Sequence, residues 1–236
     1  MNIFIRKLFR KVNSIRLNHF SGSILKTRVR HLEKYNIKVL LDVGANRGQF
    51  AYYTRKAGYK NKIISFEPLL SAYEILNVFT RNDANWEAVN MALGNREGSI
   101  DINISANSYS SSILEMMPEH LRIAPQSAFV GKQAVEMYRL DNVIDRYTKD
   151  LNTTFLKIDT QGFEKNILEG AENCLKQIKG MQLELSFIEL YKGEALFFEM
   201  LKFVCDKGFT LYTIEPGIYD KNSGQLLQVD AIFYRI

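Results

Sequence analysis

From residue 38 onward the chain alternates short runs rich in β-branched and aliphatic residues with stretches of helical spacing, and few folds accommodate that pattern. The apolar runs fall near 38–42, 62–66, 86–91, 154–158, 180–187, 209–214 and 226–235. Helical stretches separate most of them, at about 47–58, 69–80, 163–178 and 194–207. Such alternation predicts parallel strands joined by crossover helices, a doubly wound α/β sheet. Between the last two runs lie Pro216-Gly217 and Ser223-Gly224 with no helix, so these runs are expected to form an antiparallel ribbon at the sheet edge. A long excursion, 98–145, carries strand-like runs of its own at 99–104 and 130–138. Its position beside the ligand edge of the sheet predicts a contribution to a substrate pocket.

With 236 residues, 46% of them hydrophobic, the chain can bury one sizeable core. The expected organisation is a basic helical extension, 1–37, followed by one domain, 38–236. Charge divides along the same line. Residues 1–38 hold ten of the 31 Lys and Arg against one acid, Glu33, a net +9, while the 21 bases and 25 acids that follow leave −4. A mildly acidic body argues against a nucleic-acid groove across the domain. Within the extension, Ile3, Phe4, Leu8, Val12 and Ile15 share one face of a helix over 3–17, with Arg6, Lys7, Arg10 and Arg16 largely elsewhere. That helix suits either peripheral contact with the anionic inner face of a membrane or packing on its own domain or on a second copy in a homo-oligomer. A further helix is expected over 23–36. No apolar run reaches spanning length, and Cys174 and Cys205 form no CxxC pair. A cytoplasmic protein is the expectation.

The first run ends in Asp42 and opens into Val43-Gly44-Ala45-Asn46-Arg47-Gly48 before a helix begins. Gly44 and Gly48 let a ligand approach the backbone, and the helix start offers unpaired N–H groups; a plain tight turn without a ligand is the lesser alternative for this loop alone. A dinucleotide motif GxGxxG would need glycines where Asn46 and Gln49 stand, which disfavours a nucleotide-dependent oxidoreductase. The second run ends in Glu67-Pro68. A carboxylate at that edge can accept from both ribose hydroxyls of a nucleoside, or simply favour the next helix start. After 154–158 come Asp159-Thr160-Gln161-Gly162-Phe163-Glu164, so Asp159 projects toward the same crevice, where it could orient a hydroxyl or accept its proton. Glu184 stands among apolar neighbours in 180–187. It reads either as a second site acid or as the partner of a salt bridge to Lys157. Of the three histidines, His120 lies in the excursion and reads first as a surface residue.

Together these segments resemble the FkbM family of methyltransferases. The likeness is carried by Asp42-Val43-Gly44-Ala45-Asn46-x-Gly48, Phe66-Glu67-Pro68, Asn90-Met91-Ala92-Leu93-Gly94 with Gly98, Ser110-Ser111-Ser112, Leu156 to Glu164, and Glu169-Gly170-Ala171, and it runs from about residue 38 to the C-terminus. The resemblance implies a Rossmann-like class I methyltransferase with a doubly wound seven-stranded sheet and an antiparallel edge strand. It implies S-adenosylmethionine as donor and a hydroxyl acceptor on a sugar, glycan or secondary metabolite. The cofactor-binding residues are then expected at Asp42, Gly44, Ala45, Asn46, Gly48, Glu67, Pro68 and Ala92, with Asp159 and then Glu184 as catalytic groups. One position departs from the family: many members carry Glu where this chain has Gln161, so dependence on a divalent metal does not transfer and no metal ligands are assigned. A non-catalytic partner protein docked on a membrane through the basic helix is the rival reading from another class.

Overall fold

In the computed structural model, which describes residues 22–236, the alternation becomes two sheets and a set of flanking helices. The helix expected over 3–17, with its membrane and packing roles, lies outside the described residues. Helix α1 (Gly22–Lys34) leads into β1 (Val39–Val43), followed by α2 (Gln49–Lys56), β2 (Lys62–Phe66), α3 (Leu70–Thr80) and β3 (Trp86–Val89). Strand β4 (Ala92–Leu93) opens the excursion, which continues through β5 (Gly98–Ser105), α4 (Pro118–Ile123), β6 (Phe129–Tyr138) and α5 (Leu140–Val143). The chain then returns to the main sheet with β7 (Thr154–Ile158), α6 (Glu164–Glu169), α7 (Glu172–Leu175), β8 (Gly180–Ser186), α8 (Phe197–Asp206), β9 (Thr210–Pro216) and β10 (Gln228–Tyr234).

The main sheet has seven strands in the order β3-β2-β1-β7-β8-β10-β9. All run parallel except β10, which is antiparallel to both β8 and β9. The expected ribbon is therefore at the edge, with its reversed member one place in from the outermost strand, β9. Register sets Val43 level with Phe66 on one side and Ile158 on the other, so the carboxyl ends of β1, β2 and β7 finish together. Strand order reverses between β1 and β7, and crevices for ligands form outside the carboxyl ends at such a reversal.

Strands covered on both faces read as unbroken apolar runs, and all five residues of β1 and of β7 are buried. One face packs Leu41, Ile64, Leu156, Leu183 and Phe233 against α6, α7 and α8. The other packs Leu40, Ile63, Phe155 and Ile232 against α1 and α2 through Val29, Leu32, Phe50 and Ala51. Each such aliphatic or aromatic side chain contributes about 1.5–3 kcal/mol when fully buried. This second face turns polar near its carboxyl end. Register aligns Asp42 with Ser65 and Lys157, Lys157 with Gln182, and Glu184 with Asp230 across neighbouring strands, and all but half-buried Glu184 are buried. A buried polar row needs partners, and the site described below supplies them.

Two elements differ from the sequence expectation. The helical stretch 163–178 is broken into α6 and α7 at Gly170-Ala171. There the chain runs against Gly94, whose carbonyl oxygen would lie 1.8 Å from any Cβ at Gly170, and the Asp141 carboxylate caps the new helix start by accepting from the Asn173 and Cys174 N–H groups. The run 86–91 is likewise cut short, its strand ending at Val89. Its first part stays in the main sheet as β3, and β4, just beyond it, joins a three-stranded sheet ordered β4-β6-β5.

Candidate active site

The loop after β1 turns back beneath the end of β2: Gly44 and Ala45 both donate their N–H to the Phe66 carbonyl, at 3.1 and 3.0 Å. Gly44 adopts φ +72°, and a Cβ there would sit 2.0 Å from the Asp159 carbonyl oxygen, so only glycine lets the β1 and β7 loops meet. Asn46 also takes a left-handed conformation, φ 49°, which asparagine tolerates better than most residues. Its side chain donates to the Ser108 carbonyl at 2.7 Å and accepts from the Arg47 N–H, tying the loop to the excursion.

Glu67 follows directly on β2 and is 5% exposed. One carboxylate oxygen accepts from the Asn46 N–H at 2.7 Å and the other from the Leu69 N–H at 2.9 Å, which fixes the carboxylate plane. A carboxylate has about four lone-pair positions, so both oxygens keep capacity for a ligand's hydroxyls. Burial lifts this carboxyl to about 7, against the opposing pull of those two N–H donors and of Lys157.

A cleft of about 1210 Å³, the open solvent at its mouth included, lies over the carboxyl ends of the strands. On one side Phe66, Glu67, Pro68, Leu69, Met91, Ala92, Leu93 and Phe163 form a largely apolar chamber around the Glu67 carboxylate. On the other, Arg28, Gln49, Phe50, Lys157, Asp159, Gln161, Gln182, Glu184 and Asp230 form a polar arm that runs under α1. Gly44, Ala45 and Asn46 line the cleft between the two, and Ser108 to Ser112 face it from the excursion. The Phe50 ring carries the Arg28 guanidinium at 4.8 Å and the Lys157 ammonium at 5.3 Å from its centroid. Arg28 is held by an ion pair to Glu215. Among the described residues, the buried Gln182 Oε1 and Arg28 Nε atoms have no hydrogen-bond partner.

The two acids expected from sequence are brought together by a residue between them. Gln161, 2% exposed and at φ +59°, donates its side-chain N–H to Asp159 Oδ1 at 2.8 Å and to Glu184 Oε2. Its amide oxygen accepts from the Tyr191 hydroxyl at 2.9 Å, and its backbone carbonyl accepts from Ser112 Oγ at 2.7 Å. Lys157 takes a different partner from the one sequence offered. Its ammonium pairs with Asp42 at 2.9 Å and Asp159 at 3.7 Å, while Glu184 accepts from Gln161 and Gln228. Burial works against that ammonium, but Asp42, Asp159 and Asp230 outweigh it and raise its pKa.

Six of the eight residues expected around the cofactor line the cleft: Gly44, Ala45, Asn46, Glu67, Pro68 and Ala92. Asp42 and Gly48 stand behind it. Asp42 is fully buried and pairs with Lys157 under the loop, and Gly48 at φ +82° begins α2 against Leu76 and Trp86. His120 is not on the surface as its sequence context suggested; α4 buries it to 4% exposure, edge-on to Tyr191 at 5.0 Å. Sequence reasoning passed over Arg28, Gln182 and Asp230. The available signal was a polar residue recurring near the carboxyl end of strand after strand: Asp42, Ser65, Lys157, Gln182 and Glu184.

A seven-stranded sheet with one reversed strand next to its edge, and a cleft at the switch point holding a strand-end acid, define the class I methyltransferase fold. Residues 42–211 match the methyltransferase FkbM domain, and the chain belongs to that family. A solved structure, magnesium protoporphyrin IX methyltransferase (ChlM) from Synechocystis PCC 6803 with bound SAM, shares the fold with a TM-score of 0.51 at 8% identity, over 96% of this chain and 86% of that one. Methyltransferase sdnD of Sordaria araneosa is 26% identical over 155 residues, 56% of this chain. The chain spans 60% of that relative's length.

Among the described residues no three His, Cys, Asp or Glu side chains converge as a set of metal ligands, and no helix is long and apolar enough to cross a membrane.

Proposed function

We propose that the chain is an S-adenosylmethionine-dependent O-methyltransferase whose acceptor is a hydroxyl on a sugar, glycan or secondary metabolite. The observation that carries the reading is the Glu67 carboxylate, held in one plane by two backbone N–H groups and facing an apolar chamber beside the glycine loop. Its free lone pairs suit the two ribose hydroxyls of the donor. Pro68, Met91, Ala92 and Leu93 suit the faces of an adenine, and Gly44 to Asn46 would lie along the amino-acid portion.

The donor supplies an electrophilic sulfonium methyl. What remains for the chain is to align a nucleophile with it and to take up a proton, and alignment contributes most of such a rate enhancement. Asp159 and Glu184, joined through Gln161, stand in the polar arm of the cleft. They hold the acceptor hydroxyl and receive its proton as the new O–C bond forms and the methyl leaves sulfur. The polar arm beneath α1 receives the rest of the acceptor, whose hydroxyls suit its charged and amide side chains.

Calorimetric titration of the pure protein with S-adenosylhomocysteine, followed by transfer of labelled methyl to a panel of sugars and hydroxylated metabolites, tests both halves. Saturable 1:1 binding and label recovered as a methyl ether are the expected results. Absence of binding removes the donor, and label recovered on nitrogen or carbon removes the acceptor class.

A further inference from the structure

Gln161 stands in the site between two carboxylates, Asp159 and Glu184. Its side-chain nitrogen stands 2.8 Å from Asp159 Oδ1 and within hydrogen-bond reach of Glu184 Oε2, and each of its two N–H bonds goes to one of them. The orientation of the amide is set by chemistry. Rotated by 180°, it would turn an oxygen toward two carboxylates and the amide nitrogen toward the Tyr191 hydroxyl, which also reaches the Ser110 carbonyl at 3.1 Å. The backbone is pinned as well, since Ser112 Oγ donates to the Gln161 carbonyl at 2.7 Å.

Two carboxylates drawn to one point need positive charge or N–H donors between them. Divalent cations with oxygen ligands commonly fill that role, and Glu in place of Gln161 would add a third carboxylate to complete a hard-cation site. Here the amide already satisfies both acids and offers no negative charge of its own, so the residues present do not fit a metal between them. We propose that Gln161 takes the place of a divalent cation, positioning Asp159 and Glu184 by its two N–H groups so that this centre works without a metal. The inference deepens the proposed methyl-transfer reading and assigns Gln161 as a positioning residue.

Mn²⁺ is the probe, added to protein saturated with S-adenosylhomocysteine and followed by loss of the free-ion signal in electron paramagnetic resonance. The saturation step is itself a check: failure to saturate counts against the donor, separately from anything the metal does. Wild type is expected to take up no Mn²⁺ at the cleft up to about 1 mM, and Gln161→Glu to take up one ion at least roughly 100-fold more tightly, as expected when a third charged ligand joins a site. Adding Asp159→Asn to that variant should abolish the uptake. Two results overturn the proposal: wild type that binds Mn²⁺ and loses it on Asp159→Asn, or folded Gln161→Glu that binds none. If Gln161→Glu fails to fold, the wild-type titration with its Asp159→Asn control decides alone.

Discussion

Glu67→Gln is the substitution that most directly interrogates the cleft. The change keeps shape and volume, but one oxygen that could accept a ribose hydroxyl becomes an NH₂ group that also opposes the N–H of Asn46 or Leu69. Hydrogen bonds to a charged acceptor contribute about 1.5–3 kcal/mol each. Losing one outright and weakening the other amounts to about 2–4 kcal/mol, roughly 30- to 900-fold in Kd for S-adenosylhomocysteine. Because burial places the Glu67 carboxyl at about 7, the wild-type affinity should also depend on pH. Only the ionised form accepts from both hydroxyls, so affinity should fall by about tenfold from pH 8 to pH 6, and the Gln variant should lose that dependence. Calorimetric titration at the two pH values reads both effects. A variant within threefold of wild type, or a wild-type Kd that stays flat across this range, would refute the assignment of Glu67 as the ribose acceptor.

Without ligand, burial of Glu67 and Glu164, each lifted from 4.5 to about 7, makes folding favour the protonated forms. The stability they contribute is fully present below about 4.5 and is lost as pH rises through about 7, at most about 3 kcal/mol per group; the ligand-free melting temperature should therefore be higher at pH 5.5 than at 7.5, and Glu164→Gln should flatten the difference. Gly44→Ala places a Cβ 2.0 Å from the Asp159 carbonyl at a left-handed φ, and should lower stability by about 2–4 kcal/mol in thermal or urea unfolding. Lys157→Met leaves Asp42 buried without its cation and should cost about 3–5 kcal/mol, most of it recovered in the Lys157→Met/Asp42→Asn double variant. Asp159→Asn should slow methyl transfer by about 10²- to 10⁴-fold while the affinity for S-adenosylhomocysteine stays within about threefold, a split that a purely structural role would not produce.

The parallel strands were legible because a strand buried on both faces is largely apolar, and β1, β2 and β7 carry the runs Val39-Leu40-Leu41, Ile63-Ile64 and Phe155-Leu156 ahead of the polar row at Asp42, Ser65 and Lys157. Glycine spacing and the strand-end Glu67 located the cleft for the same kind of reason: backbone approach and acid placement are local requirements. What stayed hidden depends on contacts between distant segments. The break at Gly170 is imposed by the Gly94 carbonyl, far away in sequence. The partner of Glu184 hinges on how β7 and β8 are set against each other, and that register puts Lys157 opposite Gln182, with Gln161 reaching Glu184 from the loop above. Arg28 lies on a helix whose existence was evident and whose destination, over Phe50 and against Glu215, was not. His120 shows the same limit, since only the packing of α4 on Tyr191 encloses it.

The segment from Ser108 to Ser112 spans the cleft through three knots. Asn46 grips the Ser108 carbonyl, Tyr191 grips the Ser110 carbonyl, and Ser112 grips the Gln161 carbonyl. In two of the three, the segment contributes only main-chain atoms, which every residue type possesses. Tyr109, Ser111 and Ile113 line the cleft as well, with the Tyr109 hydroxyl accepting from the Gln49 side chain and Ser111 Oγ accepting from the Ser105 N–H. Anchorage in this short stretch thus rests in part on atoms that a change of residue type does not remove. A change of side chain at 108 or 110 leaves both carbonyls in place for Asn46 and Tyr191, whereas the tie to the Gln161 carbonyl needs a hydroxyl at 112.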